Sequence, residues 1–179
     1  MQESGFAKAL CSDARSAKIP SEHDFFAPLI GDWDIWWTDG LQSGTPREVR
    51  GEWLFARVLD GSAVQDVFIV PSRAQRLVNP QPDAEYGTTI RIYEPASGTW
   101  NIFYGCVGTA LRLTAHKEAE EIVLVQNGEG AMRYVFSQMS EASFSWRKEL
   151  RSDAGLWQVV ARSLTACKRD IRSAFKTRL

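Results

Sequence analysis

From residue 25 onward, apolar and polar residues alternate in short runs, and most runs stop at a turn-forming cluster. Trp33, Ile35 and Trp37 share one side of the first run, with Asp32 and Asp34 between them. The same period pairs Trp53 with Phe55, Leu111 with Leu113, Ile122 with Leu124, Met132 with Tyr134 and Phe136, and Phe144 with Trp146. Side chains alternate across a strand, so a two-residue period predicts strands with one apolar and one wet face. The pattern places them at 31–38, 48–59, 62–70, 87–94, 99–105, 109–116, 121–127, 131–138, 142–150 and 156–165. Asp60-Gly61, Pro95-Ala96-Ser97-Gly98 and Asn127-Gly128 contain residues that tolerate positive φ, which predicts hairpins at those links. Residues 71–86 form the one long loop.

Consecutive strands joined by tight turns make an antiparallel meander, and closing it removes its exposed edges. The predicted fold class is all-β, a closed antiparallel meander barrel of roughly ten strands with short terminal helical segments, wide enough to enclose a ligand. Residues 25–166 would form the barrel. Residues 1–24 read as an N-terminal extension in which Phe6 and Leu10 share a face of a short helix. In the tail, 167–179, five basic residues stand against Asp170, while Ile171, Phe175 and Leu179 fall four apart, the pattern of a basic amphipathic helix.

Composition narrows the function classes. A chain of 179 residues fits one domain, and 44% hydrophobic with 24% charged residues excludes wholesale disorder. A net charge of −1 argues against a protein built to coat nucleic acid. No apolar run is long enough to span a membrane, and the charged N-terminus lacks the apolar stretch of a signal peptide, so a cytoplasmic location is expected. Cys11, Cys106 and Cys167 are odd in number and widely spaced, matching neither a disulfide framework nor a structural zinc site. His116, Glu118, Glu120 and Glu121 straddle a hairpin turn and read as a solvated loop, so no metal is expected. Neither a phosphate-cradling glycine loop nor a nucleophile elbow is present, and two histidines give a Ser-His-Asp triad little to build on. Trp36, out of step with Trp33, is expected on the outside.

Polar residues in step with the apolar faces would point inward. Arg57 follows Trp53 and Phe55, Asp66 is in step with Val64 and Phe68, and Tyr104 follows Trp100 and Ile102. Tyr134 lies between Met132 and Phe136, and Lys148 follows Phe144 and Trp146. An enclosed charge must be paired, so this set predicts a ligand site made of Trp53, Phe55, Arg57, Asp66, Tyr104, Tyr134, Trp146 and Lys148. The first functional reading is binding of a small, mostly hydrophobic or aromatic molecule, with no cofactor. A second is a cofactor-independent isomerase, cyclase or decarboxylase in the same cavity. There Tyr104 or Tyr134 would donate a proton, Asp66 would act as base, and Arg57 or Lys148 would hold an anionic group. A third is a scaffold or regulatory subunit acting through its surface. The partner expected is a small-molecule ligand, with neither nucleic acid nor a membrane span; a homodimer is left open.

Gly31-Asp32-Trp33 resembles the Gly-x-Trp of the calycins, the superfamily of lipocalins and fatty-acid-binding proteins. The resemblance implies that Gly31 and Trp33 help close one barrel end, with a late-strand arginine on the indole; Arg147 and Arg162 both qualify, and Arg147 is the first choice. Phe-Phe-Ala-Pro-Leu-Ile-Gly-Asp-Trp-Asp-Ile (25–35) and Ile-Tyr-Glu-Pro-Ala-Ser-Gly-Thr-Trp (92–100) further resemble a bacterial lipocalin-like domain family of unknown function, over residues 25–165. The haem-binding nitrobindins are similar in their Gly-x-Trp opening but hold iron through a late histidine, and no His follows His116.

Overall fold

The computed structural model describes residues 4–41, 44–81, 83–128 and 130–169, with the backbone alone for 161–164. After α1 (Gly5–Leu10) and the two-residue β1 (Cys11–Ser12) come ten barrel strands, each within a few residues of its predicted ends. They are β2 (Gly31–Asp39), β3 (Arg47–Val58), β4 (Ala63–Val70), β5 (Glu85–Glu94), β6 (Thr99–Cys106) and β7 (Thr109–Glu118). β8 (Glu121–Gln126), β9 (Met132–Ser137), β10 (Ser143–Arg151) and β11 (Trp157–Lys168) complete the wall. The long loop after β4 holds a single helical turn, α2 (Arg73–Arg76).

Each strand pairs antiparallel with the next, and β11 returns to β2, from Ser163 opposite Thr38 to Lys168 opposite Trp33. That last ladder closes the sheet into a barrel. The register of β10 against β11 shifts between Arg147 and Glu149, a bulge beside Lys148. At the contact of β2, β3 and β4, Gly51 has no room for a side chain: a Cβ there would lie 2.6 Å from the Ile69 carbonyl oxygen.

Turns after β3, β5, β7 and β9 gather at one end of the barrel, and the connections after β2, β4, β6, β8 and β10 at the other. The first end is capped by the chain preceding β2. Ile19, Phe26 and Leu29 are fully buried in the same core as Trp33 and Trp100. Two indole N–H groups hold this cap by donating to its carbonyls, Trp33 Nε1 to Leu29 at 2.7 Å and Trp100 Nε1 to His23 at 2.9 Å. Arg57 adds a two-pronged ion pair to Asp24, at 3.0 and 2.7 Å. Ser16 N–H donates to the Gly61 carbonyl, and at Gly61, with φ of +70°, a Cβ would fall 2.0 Å from the Ala14 oxygen. The segment 13–24 is therefore tied to the barrel, with Ile19 in its core, whereas α1 lies outside it with Phe6 exposed.

β11 runs through Cys167 and Lys168, and Arg169 pairs with Asp34. The amphipathic helix expected further along the tail lies outside the described residues. Among those described, no helix is long and apolar enough to cross a membrane.

Candidate ligand cavity

Opposite the cap, the barrel opens into a cavity of about 510 Å³. Its walls follow from the inward parity of the strands: Trp37 from β2, Trp53 from β3, Phe68 from β4, Leu113 from β7, Leu124 from β8 and Phe136 from β9. The rings interlock rather than fill the space. Trp53 meets Phe68 edge-on at 5.0 Å and lies 6.1 Å from Trp146, which packs at a tilt against Tyr134 at 4.9 Å. Glu85, Tyr104, Cys106, Gln126 and Lys148 also line the cavity, from the strand ends around its mouth.

The floor is polar. Arg91 from β5 lines the cavity yet is 1% exposed. Its guanidinium lies between two aromatic faces, 5.1 Å from the Phe26 ring of the cap and 5.2 Å from the Phe55 ring. One Nη2 bond goes to Asp66, whose second oxygen accepts from Thr89 N–H at 3.2 Å. Arg91 Nε and Nη1 have no hydrogen-bond acceptor among the described residues, nor does Trp53 Nε1.

Of the residues expected around a ligand, Trp53, Tyr104, Tyr134, Trp146 and Lys148 line this cavity. The other three lie elsewhere. Phe55 is buried behind the wall beneath Arg91, Asp66 is withdrawn behind the same guanidinium, and Arg57 belongs to the cap through Asp24. Parity along a strand assigns a face but not a depth, and these three face inward below the ligand space.

The three catalytic candidates are held in separate arrangements. Asp66 is paired with Arg91, Tyr104 donates to Glu85, and Tyr134 packs on Trp146. Burial, with hydrogen bonds to Cys106 and Glu85, pushes the Tyr104 hydroxyl well above the usual phenol range. Gly87 makes that arrangement possible, because a Cβ there would meet the Tyr104 ring at 2.9 Å.

At the closed end the cation over Trp33 is Lys168, with Nζ 5.4 Å from the ring, and not Arg147. Gly31 leaves space for it, since a Cβ there would lie 3.0 Å from Lys168 Cε. Arg147 alternates with Phe144 and Trp146 in parity and so faces outward. There it bonds Glu121 at 2.8 and 3.0 Å and Glu149 at 2.6 Å. The side chain of Arg162 lies outside the described residues.

Burial opposes ionisation of Glu149, but hydrogen bonds from Arg147 and Arg133 outweigh it and hold its carboxyl below the ordinary range. Trp36 lies on the outer face under the Arg50 guanidinium, 5.5 Å from it. His116 pairs with Glu118 at the surface, and His23 sits in the cap beside Tyr93. Among the described residues no three His, Cys, Asp or Glu side chains are grouped to hold a metal ion.

No protein-family model matches the chain, and no curated protein matches it in sequence. Solved structures do match it in shape. Rv2717c from M. tuberculosis superimposes with a TM-score of 0.56 at 11% identity, covering 88% of this chain and all of the other. The S-type phycobiliprotein lyase CPES from Guillardia theta gives 0.54 at 14% identity, covering 86% of this chain and 94% of its own. At such identities the likeness establishes the fold alone: the chain has a lipocalin-like β-barrel fold.

Proposed function

We propose that this protein is a binding module that holds a small, mostly hydrophobic or aromatic molecule inside the barrel. The observation that carries this reading is the aromatic-walled cavity of about 510 Å³, capped at one end and open at the other. Its volume is within the range of small-molecule sites, and its many rings with a few polar groups match their usual lining. Membership of the bacterial lipocalin-like domain family is part of the same reading, supported by the motifs at 25–35 and 92–100. A cytoplasmic setting suits the three free thiols of Cys11, Cys106 and Cys167.

Native mass spectrometry of freshly purified protein tests the proposal and separates monomer from homodimer. A reproducible extra mass that denaturation removes is the expected result. An apo mass, combined with no detectable binding across a panel of small apolar and aromatic probes, overturns it.

A further inference from the structure

Buried polar groups in proteins nearly always have hydrogen-bond partners, so the exceptions in a cavity indicate what its occupant must bring. Among the described residues, every buried side-chain atom left without a hydrogen bond is a nitrogen donor. Arg91 contributes an N–H on Nε and two on Nη1, and Trp53 contributes its indole N–H. Both residues line the cavity and both are at least nine-tenths buried, at 1% and 5% exposure. Asp66 uses only part of the guanidinium's capacity. The floor therefore keeps N–H donors that no acceptor among the described residues meets.

Resting on the ligand-binding reading above, we propose that the occupant is a small monocarboxylic acid. Its carboxylate enters first and accepts from Arg91 on the floor, and its apolar or aromatic body lies along Trp53, Phe68 and Leu124. A carboxylate fits this floor better than a neutral carbonyl for two reasons. It offers several lone-pair sites to the spare N–H groups, and bonds between ionised partners are roughly twice as strong as neutral ones. The guanidinium already lies between the Phe26 and Phe55 rings and on Asp66, so little of its freedom is left to lose on binding.

The test compares 2-naphthylacetic acid with its methyl ester, titrated into the full chain at pH 7 and followed by tryptophan fluorescence and calorimetry. The acid is expected to bind at least tenfold more tightly than the ester. Replacing the whole ion pair, as Asp66→Leu/Arg91→Met, is expected to bring the two affinities within about twofold while the ester still binds. This double variant avoids stranding a buried charge, and Arg91→Met alone is run beside it. Equal binding of acid and ester to the unaltered protein overturns the carboxylate proposal and leaves the cavity reading standing. Binding of neither probe overturns both. A tenfold preference that survives the double variant removes Arg91 as the recognition group.

Discussion

Asp66→Ala puts the floor of the barrel to an energetic test that needs no ligand. The Asp66 and Arg91 side chains are 0% and 1% exposed, so deleting the carboxylate strands a guanidinium that remains charged. Removing one partner of a buried ion pair typically costs about 3–5 kcal/mol, because the remaining charge keeps its desolvation penalty. The Phe26 and Phe55 faces do not cancel that loss, since they flank Arg91 in both proteins. For a chain of 150–250 residues each kcal/mol lowers Tm by about 2–4 °C, which gives an expected fall of about 6–20 °C. Calorimetry and urea unfolding followed by tryptophan fluorescence measure it. Asp66→Leu/Arg91→Met, which removes both charges, is expected to recover most of the loss. A cost below about 1 kcal/mol for Asp66→Ala would mean that water entering through the cavity hydrates the guanidinium once the carboxylate is gone, and would refute this reasoning.

Other consequences can be measured on the same protein. Gly51→Ala places a Cβ against the Ile69 backbone oxygen and 2.7 Å from Val70 Cγ2, so about 1–3 kcal/mol of stability is expected to go in urea unfolding. Trp100→Phe keeps a ring but removes the donor to the His23 carbonyl; a loss of about 1 kcal/mol and faster proteolysis within residues 13–24 are expected. Glu149 ionises more readily in the folded protein than its ordinary value of 4.5. Its contribution is therefore present above that value and is lost as pH falls through the lower folded one. Stability of Glu149→Gln, measured between pH 5 and 3, is expected to fall less steeply than that of the unaltered protein.

The strands were legible because alternation and turn residues agree along most of the chain. Parity also identified the inward residues Trp53, Tyr104, Tyr134, Trp146 and Lys148, all of which line the cavity. It did not reveal Arg91, for a physical reason. An apolar strand face is ordinarily the inner one, and β5 reverses that: Glu85, Thr89 and Arg91 line the cavity while Ile92 is 39% exposed. A polar strand face can turn inward here because Asp66 on β4 lies opposite Thr89 and next to Arg91, a juxtaposition that exists only once the register is known. The cap was hidden in the same way. Ile19 is one apolar residue in a polar stretch, and only the folded barrel gives it Trp33, Phe26 and Trp100 as core companions. Lys168 over Trp33 likewise depends on β11 running back along β2 as far as Trp33.

The return of β11 to β2 has a bearing on how the protein is made. Residues paired across that seam, such as Thr38 and Ser163, are separated by almost the whole barrel sequence. During synthesis β2 through β10 can zip together hairpin by hairpin, yet the seam must wait for residues 163–168 to leave the ribosome. Until then β2 and β10 each present a free edge, and the aromatic interior is open to water along one side. Pairings so remote in sequence are also slow to find one another. The nascent chain thus carries its greatest aggregation hazard just before its final strand arrives, and the cavity comes into being only when that strand does.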